Sequence, residues 1–343
     1  MEGFVTKSIF QGKRILVTGG TGSFGHFITK ELIAFHPAEI RVFSRDEKKQ
    51  DDMRREFEDQ VNVTLVIGDV RDAKAVRKAV RDIDLIFHAA ALKQVPSCEY
   101  HVYEAVLTNI VGPQNIINAA IEEEVDKVIA ISTDKAVKPV NAMGMTKALQ
   151  ERIFITANMW KGNKKTVFAC ARYGNVIGSR GSVIPLYKEQ IEGGGPITLT
   201  DPTMTRFILP LSEAIQLVFL AINQCVGGEI YVPKIPAIKI KILAELMIEK
   251  LAGGKKIEIK DIGIRPGEKI HEVLISEEER FRTIDNGDSY VILPNIHLPG
   301  VWDSYRDRKR VDKEFFEYCS ENAEKYTKKQ LVDILVKEGI FPA

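Results

Sequence analysis

The chain has 343 residues, and 48 Lys and Arg against 47 Asp and Glu leave a net charge of +1. So even a balance gives no global attraction to nucleic acid or to an anionic membrane surface, and any anion has to be held by a local site. Hydrophobic residues at 45% and charged residues at 28% exclude a disordered or fibrous chain, and the length suits one large domain or two modest ones.

The N-terminal stretch MEGFVTKSIFQGK lacks the apolar block of a signal peptide. No apolar run approaches the ~20 residues that span a bilayer, so a cytoplasmic protein is expected. Short, nearly continuous apolar runs then recur at Arg14–Thr18, Ile40–Ser44, Val63–Ile67, Leu85–His88, Lys127–Ser132 and Val167–Arg172. Runs rich in β-branched and aromatic residues are expected as strands buried on both faces of a parallel sheet. Amphipathic stretches such as Phe24–Phe35 and Val102–Glu122 lie between them. The alternation predicts an α/β fold with a Rossmann-type, doubly wound parallel sheet.

After about residue 176 prolines and glycines cluster, with two amphipathic stretches among them, Ser212–Gln224 and Ile240–Leu251. This predicts a cofactor domain over 1–176 to which later segments return, and a smaller mixed lobe over 177–295. A charged tail follows over 296–343, expected to be helical across Asp312–Glu338. Cys98, Cys170, Cys225 and Cys319 stand far apart without a CxxC, as in a reducing compartment. The six histidines form no HExxH, so no metal site is signalled.

The first strand runs into Gly19-Gly20-Thr21-Gly22-Ser23-Phe24-Gly25, a GxxGxxG at a strand-to-helix junction. Glycines there let backbone N–H groups approach a pyrophosphate, and the helix start adds the positive end of its dipole. The second strand ends in Ser44-Arg45-Asp46-Glu47-Lys48. An acidic side chain at this place meets the ribose of NAD. Here Arg45 can stack on adenine and pair with a 2′-phosphate, Ser44 can donate to it and Lys48 adds charge, which favours NADP over NAD. Asp46 would serve a 2′-hydroxyl only if turned inward. After the third strand Asp69 can accept from the adenine amino group while Val70 packs beside the ring. After the fourth, Ala89, Ala90 and Ala91 let the backbone pass close to the cofactor.

These motifs, with STDKAVKPVNAMGMTK, HAAALKQVP, RYGNV and RPGE, resemble the extended short-chain dehydrogenase/reductases that act on nucleotide sugars. The nearest branch is the UDP-N-acetylglucosamine 4,6-dehydratases of capsule and flagellin-glycan pathways, of the capsule, C5-inverting type. The resemblance spans roughly residues 10–290. In most of the superfamily a Tyr and a Lys share one helical face at i and i+4, the Lys holding the nicotinamide ribose and the Tyr exchanging a proton with the substrate. Here the pair is Met143 and Lys147, and a thioether moves no proton. A YxxxK at Tyr305–Lys309 lies far along the chain and is read as chance.

Acid–base work then falls to Thr133-Asp134-Lys135, an ionisable group at the end of the fifth strand. The resemblance implies oxidation at C4, loss of the C5 proton and the C6 hydroxyl, and reduction at C6. Lys135 is expected as the C5 base, its pKa lowered by burial and by the nicotinamide charge, with Asp134 as the acid for the C6 hydroxyl and Thr133, water or Asp134 taking the C4 proton. Lys93 is expected to touch the hexose or its phosphate. For the UDP end the resemblance implies Asn175 and the helix start at Val183 on the diphosphate, and the strand carrying Thr198 and Thr200 on the uracil edge. Arg206 and Arg265 would neutralise the diphosphate, and Glu268 would accept from the uridine ribose. A UDP-sugar is the expected partner, within a homo-oligomer, dimeric or hexameric by family analogy. A UDP-hexose 4-epimerase, a C5-retaining dehydratase and a non-catalytic NADP-binding sensor stand as alternatives.

Overall fold

Strand β1 (Arg14–Thr18) buries Ile15, Leu16 and Val17 completely, so its run faces protein on both sides. β2 (Glu39–Ser44), β4 (Leu85–His88), β5 (Lys127–Thr133) and β6 (Val167–Tyr173) do much the same, and β3 (Val63–Ile67) completes the first half. The computed structural model describes residues 9–312 and 314–342. Residues 1–8 of the stretch read above for a leader lie outside the described residues.

The strands form one nine-stranded sheet. Its order is Thr283–Asp285, Ser289–Ile292, Ile230–Pro233, β6, β5, β4, β1, β2, β3. Every pairing from β3 to Ile230–Pro233 is parallel, and the last two strands close the edge antiparallel. Chain order reverses between β1 and β4, and a crevice beyond the carboxyl ends of strands opens at such a switch point. β3 departs from the expectation of burial on both faces, because it is the sheet edge and leaves Ile67 58% exposed.

Helix α1 (Ser23–Ile33) follows β1 and α2 (Glu47–Glu56) follows β2. The stretch expected as one helix over Val102–Glu122 is α-helical at Val102–Val106 and Gly112–Glu122, with a π-turn at Leu107–Val111 between. Pro113 has no amide for the carbonyl four residues back, so the ladder shifts register there. The shift accompanies a buried Asn109 that donates to Leu92 O and accepts from Leu92 N.

Beyond residue 176 a second apolar cluster gathers Ile184, Tyr187, Leu199, Leu243, Met247 and Leu335. The expected long helix over Asp312–Glu338 is confined to Lys328–Lys337, entered through a capping box of Thr327 and Gln330. Ahead of it Tyr318–Cys319 forms a strand on Val273–Ile275. Phe315 and Tyr318 meet Tyr290 at 5.5 and 5.4 Å. Packing of these rings on the core overrides the helix propensity of their charged neighbours.

Candidate active site

The glycine turn lies against the end of β4. Gly19 has φ +64°, and a Cβ there would sit 2.8 Å from Ala90 Cα. A Cβ on Gly25 would fall 2.3 Å from Gly20 Cα, so α1 packs on the turn only without a side chain. Gly22 caps α1, and no side chain competes for the first helical amides. A cradle of this shape, lined by backbone, fits a dinucleotide pyrophosphate. Thr21 Oγ1 meets Ser44 Oγ at 2.7 Å, joining the turn to the end of β2. Ser23 Oγ accepts from Arg180 N at 3.4 Å, and Phe24 stacks on Tyr173.

At the end of β2 the acidic residue is already used. Asp46 caps α2, accepting from Lys49 N at 3.0 Å and pairing with Lys49 Nζ at 2.6 Å, bonds that hold its carboxyl below the usual range. Arg45 is half exposed, with Nη1 3.5 Å from Asp69 Oδ2. Lys48 is not brought to the crevice, since it pairs with Asp52 along the exposed face of α2. Asp69 carries a duty the sequence did not show. Oδ1 accepts from Arg71 N, and Oδ2 from Arg71 Nε and Nη2, so its carboxylate is engaged before any adenine arrives. Val70 is buried against Gly112, where an added Cβ would stand 2.8 Å from Val70 Cγ2.

Beside Ala89–Ala91 stands His88. Its Nδ1 meets Thr18 Oγ1 at 2.8 Å, while Nε2 has no partner. Burial, with the nearby Lys147 charge, pushes its pKa down to about 3, so the ring is neutral.

Thr133 ends β5, and Asp134–Ala136 makes a single 3₁₀ turn. Helix Ala142–Trp160 begins at Asn141, whose Oδ1 accepts from Gly144 N at 2.7 Å. A Cβ on Gly144 would lie 2.3 Å from Lys135 O, so this glycine lets the helix close on the turn. Met143 is 4% exposed and packs with Cys98 and Ala105. Lys147 donates to Ile131 O and to Gln150 Oε1 at 2.8 Å, and burial pushes its pKa down to about 8.

Asp134 is fully buried. Its Oδ1 accepts from Thr133 Oγ1 and from Lys135 Nζ, both at 2.9 Å, and Oδ2 is left without a partner. The expected lowering of the Lys135 pKa is reversed. Burial opposes its charge, but Asp134 and Glu272 together outweigh burial and hold the ammonium more firmly than usual.

Toward the second lobe, Lys93 Nζ donates to Arg180 O at 2.8 Å. Asn175 Oδ1 and Glu268 Oε2 are buried acceptors without partners, as a site built for a donor-rich ligand would leave them. Arg206 is not free to meet a diphosphate with its whole guanidinium. Nη1 and Nη2 donate to Thr205 O, Ile270 O and Lys269 O. Arg265 is exposed on the RPGEK turn, which docks on the helix cap through Asn141 Nδ2 to Gly267 O at 2.7 Å. Val183 opens helix Val183–Glu192. The uracil-edge expectation is narrowed, because Thr198 N already donates to Gln190 Oε1 at 3.0 Å and Thr198 Oγ1 accepts from Gln190 Nε2. Thr200, just past that strand, is half-buried. Tyr187, missed in the sequence, lies within electrostatic reach of Arg265, Arg206 and Glu268, its phenol pushed up to about 12 by burial. Its place inside an amphipathic helix hid it. Tyr305 of the distant YxxxK bonds Tyr231 and Glu229 instead.

Residues 15–294 match the sequence pattern of a family described as polysaccharide biosynthesis protein. The chain belongs to that family. The chain is 42% identical over 335 residues to a UDP-N-acetylglucosamine 4,6-dehydratase (inverting) of Campylobacter jejuni, covering 95% of this chain and 98% of the relative. It is 46% identical over 289 residues to a protein of Rickettsia canadensis named UDP-glucose 4-epimerase, covering 83% and 84%. The X-ray structure of Pen from Bacillus thuringiensis superimposes with a TM-score of 0.90 at 38% identity, over 97% of this chain and 99% of that one. The protein is thus an enzyme of the nucleotide-sugar dehydratase and epimerase type, on the extended short-chain dehydrogenase/reductase fold. Among the described residues no helix is long and apolar enough to cross a membrane.

Proposed function

We propose that the protein is a UDP-N-acetylglucosamine 4,6-dehydratase that uses NADP and inverts C5, yielding a UDP-2-acetamido-2,6-dideoxy-4-keto-hexose. One observation carries the reading. At the end of β5 the ionisable pair is Asp134 and Lys135, 2.9 Å apart, and the position one helical turn before Lys147 is a buried thioether, Met143. A 4-epimerase needs a proton exchanged at O4 and little else. Elimination needs a base at C5 and an acid at O6, and a neutral amine beside a carboxyl that has taken up a proton supplies both.

When bound, the nicotinamide supplies hydride transfer, taking hydride from the sugar and returning it. Gly19, Gly22, Gly25, Thr21 and Ser23 would hold its pyrophosphate, Arg45 and Ser44 its 2′-phosphate, and Lys147 its nicotinamide ribose. The pairing of Asp46 with Lys49 leaves Arg45 as the charged group offered at the end of β2, which supports NADP over NAD. Asp134 and Thr133 form a hydrogen-bonded relay able to receive the O4 proton and deliver one to O6. Residues 1–176 serve the cofactor in this reading, and residues 177–295 the UDP group through Asn175, Arg265 and Glu268.

The test is incubation of the NADP-loaded protein with UDP-N-acetylglucosamine in D₂O. Mass spectrometry is expected to show loss of one water offset by the gain of one deuterium, and NMR a 4-keto product with that deuterium at C5 in the inverted configuration. An isomer of unchanged mass establishes an epimerase, the name carried by the Rickettsia relative, and overturns the proposal.

A further inference from the structure

Lys135 meets two carboxylates, and only one of them is its sequence neighbour. Its Nζ lies 2.9 Å from Asp134 Oδ1 and 3.1 Å from Glu272 Oε1. Glu272 arrives from the far side of the RPGEK turn, one residue ahead of strand Val273–Ile275. Its side chain is 2% exposed. Its backbone is clamped from both sides, with N donating to Ser320 Oγ at 2.9 Å and O accepting from Ser320 N at 2.7 Å. Two further cations face the carboxylate at longer range, Arg206 Nε and Lys269 Nζ, both 3.9 Å away. Both are committed elsewhere. Arg206 serves backbone carbonyls, and Lys269 Nζ donates to Val137 O at 2.6 Å. Glu272 Oε2 has no hydrogen-bond partner at all. A carboxylate buried in this way is costly unless a charge answers it, and the nearest charge is Lys135, at 3.1 Å against 3.9 Å for the other two.

We propose that Glu272 is a positioning residue, a carboxylate from beyond the cofactor domain that orients Lys135 Nζ for removal of the C5 proton. This rests on the dehydratase reading above. Lysine has a flexible four-carbon stem and a rotatable ammonium. Asp134 alone, adjacent in a 3₁₀ turn, restrains it from one side. Glu272 restrains it from a second, independent element, so the amine is placed only when both parts of the chain are folded together. In the reaction the C5–H bond breaks. Its electron pair becomes the enolate of the C4 ketone, and the proton goes to the neutral amine of Lys135. The resting ammonium must first release a proton to solvent. Asp134 and Glu272 oppose that release, and Arg206 and Lys269 favour it. Loss of Glu272 therefore makes the amine neutral at lower pH while leaving it worse placed.

The NADP-loaded wild type, Glu272→Gln and Glu272→Asp are compared with UDP-N-acetylglucosamine across pH. Lys135 is followed separately by NMR of ¹³C-dimethylated lysines, assigned with Lys135→Arg. In Glu272→Gln the rising limb of kcat is expected to move down by about one pH unit. Its plateau should fall on the order of 10- to 100-fold, as misplacement of a reacting group costs, with KM within about twofold. The Lys135 resonance should titrate lower by the same interval, and Glu272→Asp should recover part of both. An unchanged limb and an unchanged Lys135 titration, with only a lower Tm, would show a structural carboxylate and overturn the proposal. If the wild type forms no 4-keto sugar while the Lys135 resonance still moves in Glu272→Gln, the dehydratase reading fails and the pairing stands.

Discussion

Replacing Arg172 by Met tests whether a buried ion cluster holds the end of β5, where Thr133 and Asp134 stand. Arg172 is 2% exposed and donates twice to Glu151, at 2.9 and 2.7 Å, and twice to Glu279, at 2.7 and 2.9 Å. A fifth bond reaches Leu274 O at 2.8 Å. Glu151 in turn accepts from Ser132 Oγ, the residue before Thr133. Met keeps the aliphatic bulk and removes every donor, leaving Glu151 without its ion-pair partner and Glu279 with Arg282 alone, whose Nη2 stands 3.4 Å from Oε1. Removing one partner of a buried pair costs about 3–5 kcal/mol. The structure offers a second measure of that size. Burial raises the Glu279 pKa, but Arg172, joined by Arg282 and the Ser276 amide, more than offsets it and holds the carboxyl at about 2 against the ordinary 4.5, a difference worth roughly 3 kcal/mol. The sign follows from linkage. A carboxyl depressed in the folded state stabilises fully above its unfolded pKa, and that contribution drains away as pH falls from about 4.5 toward 2. In Arg172→Met the carboxylates can escape their burial cost by taking up protons, so the deficit against wild type should shrink between pH 7 and pH 5. Urea unfolding at both pH values, with and without NADP, measures it. Because Ser132 is tied to the same cluster, kcat should fall as well. A variant within about 1 kcal/mol of wild type at pH 7, or a deficit that ignores pH, would refute the reasoning.

Gly25→Ala drives a Cβ to 2.3 Å from Gly20 Cα; overpacking of about 1–3 kcal/mol should weaken NADP roughly 5- to 150-fold by titration calorimetry while the fold persists. Arg45→Glu should weaken NADP about 10- to 100-fold, the worth of a charge-assisted bond, and NAD far less; equal losses would remove Arg45 from the 2′-phosphate. Met143→Leu conserves volume in the Cys98–Ala105 pocket and should keep most of kcat, whereas Asp134→Asn should slow 4-keto product formation by about 10²–10⁴. A dead but NADP-binding Met143→Leu would give the sulfur a direct role.

Periodicity and glycine spacing were enough for the dinucleotide half. The inner strands β1, β2, β4, β5 and β6 are continuous apolar runs because both faces of a parallel sheet are covered there, and that requirement is local to each run; only the tertiary sheet order shows that β3 is its edge. Gly19, Gly22 and Gly25 announce the turn because no residue with a Cβ fits where Gly19 meets Ala90 and Gly25 meets Gly20. Asp134, Lys135, Met143 and Lys147 were legible for the same reason, as neighbours in the chain or on one helical turn. What the sequence could not show depends on distance along the chain. Glu272 stands in a plain KIHEVL segment, and only packing of the second lobe on the end of β5 brings it to Lys135. That contact reverses the expected lowering of the Lys135 pKa. Asp69 and Arg206 read as ligand groups because charge is visible in sequence, whereas the side chains and carbonyls that already occupy them are not. Lys48 pointed to the 2′-phosphate by proximity to Arg45, yet α2 carries it toward Asp52. Local chemistry determined the elements and marked the candidate groups; tertiary packing decided their partners, because burial and charge pairing are properties of neighbours that meet only in the fold.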